Sequence, residues 1–157
     1  MLGEEKHWQF KEILNLYRQG KSSFINKINE LYDNYDIEIY YLQSRRKTEI
    51  LIFPLTEDAK IMKKICQKRH EKLPPKFFKD CSFITFTLDD IRDDIIEYHG
   101  RKCVICGISE QRHMEKYGRP LELHHVFPIC FSDSMYGIKL TDAFVPVCSV
   151  CHRRGYQ

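Results

Sequence analysis

Four cysteines and three histidines in the C-terminal part of the chain have residue types and spacings that suit metal chemistry. The cysteines form two Cys-x-x-Cys pairs; two histidines are adjacent between the pairs, and the third follows the last cysteine directly. Four thiolates can close a tetrahedral structural zinc site, which leaves three imidazoles for a second centre. The residues are Cys103, Cys106, Cys148, Cys151, His124, His125 and His152.

The spacing of the cysteines favours zinc over redox chemistry. A Cys-x-x-Cys turn points two thiolates at one metal ion, and Gly107 suits the positive-φ position after such a turn. A redox centre is the rival interpretation of one pair, but two pairs in one small region favour a metal. The 41 residues between Cys106 and Cys148 exceed the spacing of a simple zinc ribbon, so an inserted piece must carry the histidine doublet.

The histidine doublet lies in a segment that alternates like a β-strand. Residues 121–126 predict a strand, in which His124 and His125 point to opposite sides and take different roles. His152 begins a predicted helix, where a rotation of about 100° per residue turns it away from Cys151 and towards the doublet. A neutral imidazole can bind a metal or act as a general base. The other histidines are expected to be ordinary surface or core residues: His7, His70, His99 and His113.

The composition predicts a reduced, cytoplasmic protein. No apolar run approaches the roughly 18 residues that span a bilayer, and the charged start of the chain lacks a secretory signal. We therefore expect no membrane partner. Seven cysteines in such a chain indicate thiols and metal ligands rather than disulfides. The three outside the pairs, Cys66, Cys81 and Cys130, are expected to be small buried hydrophobes.

Periodicity predicts that the N-terminal half is an α+β domain ending near residue 85. Two amphipathic helices come first. Alternating residues then predict a β-hairpin, with the basic turn of Arg45, Arg46 and Lys47 between its strands. A further short strand is expected at residues 83–86.

Two threonines predict helix starts in the middle of the chain. Thr87 caps a helix that Gly100 ends, and Thr56 caps a helix that follows the hairpin. The Thr56 helix is expected to place its lysines outside. Its predicted buried face consists of Ile61, Met62, Ile65 and Cys66.

Positive charge is concentrated in the N-terminal half. Residues 1–80 hold 16 Lys/Arg against 12 Asp/Glu, whereas residues 81–157 hold 9 against 10. The lysine-rich run 60–79, which includes Lys64 and Lys68, can neutralise nucleic-acid phosphates, as can the basic turn. A solvated helix face explains the lysine run equally well.

Three blocks of sequence, in order, resemble an HNH endonuclease of the ββα-metal class, and are most similar to the branch found in modification-dependent restriction enzymes. The blocks are residues 101–107 (RKCVICG), 121–128 (LELHHVFP) and 144–152 (FVPVCSVCH). The resemblance implies a zinc-stabilised ββα-metal domain over residues 86–157, after the α+β domain of residues 1–85. It also implies hydrolysis of phosphodiester bonds, with DNA as the partner.

The resemblance assigns a role to each histidine. His124 and His152 would ligate one divalent cation, which could be Mg²⁺, Mn²⁺, Ni²⁺ or Zn²⁺. His125 would be the general base that activates water. Arg153 and Arg154, beside His152, would contact phosphate at the cut site, although solvated charges at a helix end explain them equally well.

Two positions depart from the family pattern. Ala143 stands where the family has Asn or Asp, and the adjacent Asp142 would substitute for it at the cation. Tyr156 stands where the family commonly has His or Asn. These departures favour the alternative function, a catalytically weakened zinc module that binds DNA or a protein partner. A toxin or defence effector held by a protein partner would share the nuclease chemistry, and the sequence leaves a homo-oligomer open.

Overall fold

The computed structural model describes residues 4–19, 23–44, 47–69, 71, 84–126 and 134–155, and the described chain is an α+β protein. None of its described helices is long and apolar enough to cross a bilayer. The helices are α1 (Glu4–Arg18), α2 (Ser23–Asp33), α3 (Glu57–Lys68), α4 (Leu88–Tyr98), α5 (Glu110–Tyr117), α6 (Leu140–Ala143) and α7 (Ser149–Gly155). The strands are β1 (Ile37–Ser44), β2 (Lys47–Pro54), β3 (Ile84–Thr87), β4 (Glu122–His125), β5 (Ser134–Tyr136) and β6 (Phe144–Val147).

Several sequence predictions fall on residues outside the described ranges. They concern the charges of the hairpin turn, one histidine, two cysteines and the C-terminal tyrosine. These residues are Arg45, Arg46, His70, Cys81, Cys130 and Tyr156.

A four-stranded antiparallel sheet in the order β3-β2-β1-β5 lies at the centre of the fold. The predicted hairpin is confirmed: Ser44 pairs with Lys47 at its turn, and β2 pairs with β1 over its whole length. β5 comes from the C-terminal half and pairs with β1, with Tyr41 opposite Met135. The regions before and after residue 85 therefore share one sheet, while their division into two domains stays a prediction.

One face of this sheet packs into the main hydrophobic core. Alternate residues point to the same face of a strand, and here they are the odd positions of β1 and the even positions of β2. The core continues through α2 and α4 into the strands and loops that carry the cysteines. Its buried members include Ile25, Ile39, Tyr41, Ile50, Ile91, Cys103, Leu123, Phe144 and Cys148.

Helix α3 covers the opposite face of the sheet, and it buries a lysine. The predicted buried face is wrong for two of its members, because Ile61 is 56% and Ile65 39% exposed, whereas Lys63 is only 2% exposed. Cys66 is buried as expected. The prediction failed because the sheet supplies a carboxylate under the helix, that of Glu38, and a carboxylate makes a buried ammonium tolerable.

The buried lysine has three partners. Lys63 Nζ donates to the carbonyl oxygen of Ile37 at 2.8 Å, lies 3.5 Å from Glu38 and sits 3.8 Å from the centre of the Tyr32 ring. Burial lowers the pKa of Lys63 and raises that of Glu38, while their mutual attraction opposes both shifts. The pair fixes α3 to β1.

Both predicted threonine caps are present. Thr56 accepts from the Ala59 N–H, and Thr87 forms a reciprocal capping box with Asp90. Helix α4 ends at Tyr98, and Gly100 has the left-handed φ of +81° that its predicted stop position requires. Arg101 follows, and it binds three carboxylates that connect α4 to the start of α5: Asp93, Glu97 and Glu110.

Candidate functional site

The four predicted cysteines converge on one point and could hold a metal ion. Cys103 and Cys106 lie in the loop after α4, Cys148 follows β6, and Cys151 lies on α7. Their sulfur atoms all lie within 4.8 Å of one another, and Cys106 Sγ is 3.7 Å from Cys148 Sγ. Among the described residues, no other group of three or more His, Cys, Asp or Glu side chains is this compact.

The backbone directs N–H groups at two of the four sulfurs, those of Cys103 and Cys148. Gly107 has the predicted positive φ, +81°, which lets the first turn close. The N–H groups of Ile105 and Cys106 lie 3.4 and 3.5 Å from Cys103 Sγ, and the Cys151 N–H lies 3.3 Å from Cys148 Sγ. Burial opposes ionisation of Cys103, but the surrounding N–H groups outweigh it and lower its pKa. A lowered thiol pKa favours metal binding.

His113 supports the second cysteine pair from α5. Its side chain is fully buried, so of the two expected kinds of ordinary histidine, surface or core, His113 is a core residue. Its Nδ1–H donates to the Arg119 carbonyl oxygen at 2.8 Å, and its Nε2 accepts from the Ser149 N–H at 3.1 Å. Ser149 lies between Cys148 and Cys151, so His113 holds the turn that aims those two sulfurs.

The histidine doublet lies on β4, and its side chains point to opposite sides as predicted. In the antiparallel pair with β6, His124 lies opposite Val145 and His125 lies opposite Phe144. The His124 ring is 5.2 Å from the ring of His152 on α7, centre to centre. The His125 ring instead packs edge-on against Phe144, at 5.1 Å. The structure therefore brings His124 and His152 together and separates His125 from them.

Glu122 is part of this arrangement and was missed by the sequence prediction. Its Oε2 lies 2.9 Å from His152 Nδ1. The sequence could have indicated this role, because Glu122 precedes His124 by two residues and alternate residues of a strand lie on the same face. The carboxylate fixes the orientation of the His152 ring and leaves its Nε2 for another partner.

His125 contacts a residue from the N-terminal hairpin. Its Nε2 lies 3.3 Å from Thr48 Oγ1 on β2, a residue 77 positions away. Burial lowers the pKa of His125, and the positive charges of Arg92 and His152 lower it further. Burial also lowers the pKa of His124, with contributions from His152 and His125. Both members of the doublet are therefore biased towards neutral imidazole, the form that accepts a proton or a metal.

Asp142 does not join the histidines in a compact ligand group. It lies exposed on α6, and its charge raises the pKa values of Tyr32 and Lys139 as a secondary contribution. Among the described residues, no group that could hold a metal ion contains Asp142 together with His124 and His152. The nearest carboxylate partner that the structure gives to His152 is Glu122.

The predicted phosphate-binding residues lie in three separate places. Lys47 begins β2 next to Thr48, which contacts His125, but the side chains of adjacent strand residues point to opposite faces of the sheet. Lys64 and Lys68 lie on α3, which covers the other face of the sheet. Arg153 and Arg154 are exposed on α7; Arg154 lines an open cleft beside the cysteines, with Lys116 and Tyr117.

Comparisons with family models, with curated proteins and with solved structures find no match to this chain. The chemistry of the site therefore follows from its own residues. They are a cluster of four thiols, a His124–His152 pair supported by a carboxylate, and a separate histidine held against Phe144 and Thr48.

Proposed function

We propose that the protein is a metal-dependent DNA endonuclease of the HNH, or ββα-metal, class, acting in restriction or phage defence. The observation that supports this best is that the two adjacent histidines of β4 face opposite sides of the strand. His124 faces His152, while His125 faces away from them towards a separate set of contacts. Metal-dependent hydrolysis of a phosphodiester combines a cation with a general base, and adjacent residues of one strand offer a side chain for each. The choice of DNA rests on the sequence resemblance.

The cysteine cluster fits structural zinc. Zinc prefers four thiolates in tetrahedral array, and the four sulfurs lie close enough to share one ion, with backbone N–H groups already directed at two of them. Zinc would hold the loop after α4 to the start of α7. Because α7 carries His152 immediately after Cys151, the same ion would also fix the position of that histidine.

His124 and His152 would hold the second, catalytic cation, and two protein ligands leave room for water and phosphate oxygens. When bound, a divalent cation acts as a Lewis acid on the scissile phosphate and stabilises the leaving 3′ oxygen. His125 would take the proton from the attacking water, and Glu122 would hold the His152 ring in its binding orientation.

Lys47 and the other residues of the basic turn are the proposed phosphate contacts on the hairpin, and Arg153 would contact phosphate from α7. Such contacts position the backbone without reading sequence. Lys64 and Lys68 lie across the sheet from His125, so they would bind a different stretch of the nucleic acid from the one being cut.

Replacing Glu122 by Gln is expected to weaken binding of Mn²⁺ about 10- to 100-fold, the usual effect of losing a carboxylate behind a histidine ligand. Isothermal titration of the purified, zinc-loaded protein measures this. The matched control is Glu115→Gln on the exposed side of α5, which should leave the Mn²⁺ affinity unchanged. Equal affinities for wild type and Glu122→Gln would remove Glu122 from the site.

Plasmid cleavage tests the proposed function directly. Purified protein is incubated with plasmids that carry or lack base modifications, with Mg²⁺, Mn²⁺, Ni²⁺ or no added cation. Cation-dependent nicking or linearisation is expected for at least one plasmid. Intact plasmid under every condition would overturn the nuclease proposal.

The second candidate is a zinc module that binds a protein or DNA without cutting it. Apolar side chains near the cysteines favour it: Val104, Ile105 and Met114 are all exposed. The absence of a second compact ligand group among the described residues also favours it. Nucleic-acid binding without cleavage in the plasmid experiment would support this candidate over the nuclease.

A further inference from the structure

We propose that Thr48 and Gln43, on the N-terminal hairpin, are positioning residues that fix which ring nitrogen of His125 carries its proton. The inference rests on the proposed function, in which His125 is the general base. It identifies the β1–β2 hairpin as the element that orients that base.

A short hydrogen bond sets the direction of the Thr48 hydroxyl. Thr48 Oγ1 donates to Gln43 Oε1 at 2.6 Å. A hydroxyl has one proton to give, so towards its other neighbour, His125 Nε2 at 3.3 Å, it can only accept. His125 therefore carries its proton on Nε2, and the lone pair lies on Nδ1, on the other side of the ring. Nδ1 is then the atom that accepts the proton from water.

The sheet places these groups without freedom to rearrange. Gln43 and Thr48 are directly opposite each other in the hairpin register, so their side chains share the face that packs against the core. Thr48 is only 7% exposed, and a β-branched side chain has few rotamers to choose from. A buried hydroxyl also needs its hydrogen bonds, which ties its orientation to Gln43 and His125.

The His125 ring is held from a second direction by aromatic packing. Phe144 lies edge-on to His125 at 5.1 Å, and Tyr41 lies edge-on to Phe144 at 5.6 Å. Tyr41 is on β1, two residues before Gln43, and its hydroxyl donates to the Ile138 carbonyl oxygen at 2.8 Å. The same strand thus supports the His125 ring through Phe144 and its Nε2 through Gln43 and Thr48. Geometry of this kind matters because a misplacement of about 1 Å can cost about 100-fold in rate.

Thr48→Val, which keeps the shape and removes the hydroxyl, tests the assignment in the full-length, zinc-loaded protein. Long-range ¹H–¹⁵N spectra of the imidazole report the tautomer independently of any cleavage. We expect the Nε2–H form in the wild type and a mixture in Thr48→Val. Single-turnover plasmid cleavage should fall about 10- to 100-fold with the KM for DNA unchanged, because the ring loses its position as well as its single tautomer. Thr48→Ser should restore both readouts.

The matched control is Thr85→Val, the same change at an exposed position on the neighbouring strand β3. It should change neither the spectrum nor the cleavage rate. A wild-type His125 protonated on Nδ1, or a Thr48→Val protein with wild-type tautomer and rate, would overturn the inference. Absence of cleavage by the wild type overturns the proposed function and the catalytic consequence with it, whereas the spectra decide the hydrogen-bond assignment on their own.

Discussion

Cys148→Ser is expected to lower the melting temperature by at least about 10 °C. A loss of 1 kcal/mol in the free energy of unfolding lowers the melting temperature of a chain of this length by roughly 2–4 °C. Binding of a structural zinc ion contributes several kcal/mol to that free energy. Cys148 is buried, and its sulfur lies within the cluster that ties the loop after α4 to α7. Scanning calorimetry of wild type and variant, with zinc content measured by mass spectrometry, provides the comparison.

Cys66→Ala is the matched control for the cysteine substitution. Cys66 is also buried but lies on α3, outside the cluster. It should retain one zinc ion per chain and lose only the stability of a small core truncation. If Cys148→Ser melts at the wild-type temperature, or if the wild type purifies without metal and is indifferent to chelators, the structural-site assignment is wrong.

His125→Ala is expected to reduce cleavage at least about 100-fold, because a positioned general base contributes on the order of 10²–10⁴ to rate. Binding of DNA and of the cation should survive, since His125 faces away from His124 and His152. Single-turnover cleavage measures the rate, and titrations with Mn²⁺ and with DNA in the absence of cation measure the two affinities.

The adjacent substitution His124→Ala gives the sharpest comparison for His125→Ala. It removes the same ring from the same strand, one position earlier and on the other side. It should weaken cation binding, and excess Mn²⁺ should partly restore its cleavage. Wild-type cleavage by His125→Ala, or a cation affinity lowered equally by both substitutions, would contradict the division of roles on β4.

The features that could be predicted from the sequence depend on residues a few positions apart. Alternation of apolar and polar residues predicted the hairpin, and Thr56 and Thr87 predicted the helix starts. Gly107 after Cys106 predicted the positive φ that closes the first Cys-x-x-Cys turn. Each of these is a local preference of the backbone, and the surrounding fold reinforces it.

The features that could not be predicted join residues far apart in the chain. Thr48 contacts His125, which lies 77 positions further along the chain. Strand β5 pairs with β1, although most of the chain lies between these two strands. Lys63 is buried because Glu38 lies beneath it in the folded sheet, and a helical pattern alone cannot reveal that partner. Periodicity specifies which side of an element is apolar, but the element that packs there depends on tertiary contacts.

The pairing of β5 with β1 has a consequence if the four-cysteine cluster binds a metal ion and then loses it. β1 runs over eight residues, Ile37–Ser44, and its outer edge is covered at residues 40–42 by β5, which belongs to the half of the chain that carries the four cysteines. Should that half come loose, the peptide groups along the edge, beside Tyr40 and Leu42, become a template for strand addition by another molecule. Zinc bound at the four cysteines would then limit aggregation of this protein as well as keeping it folded.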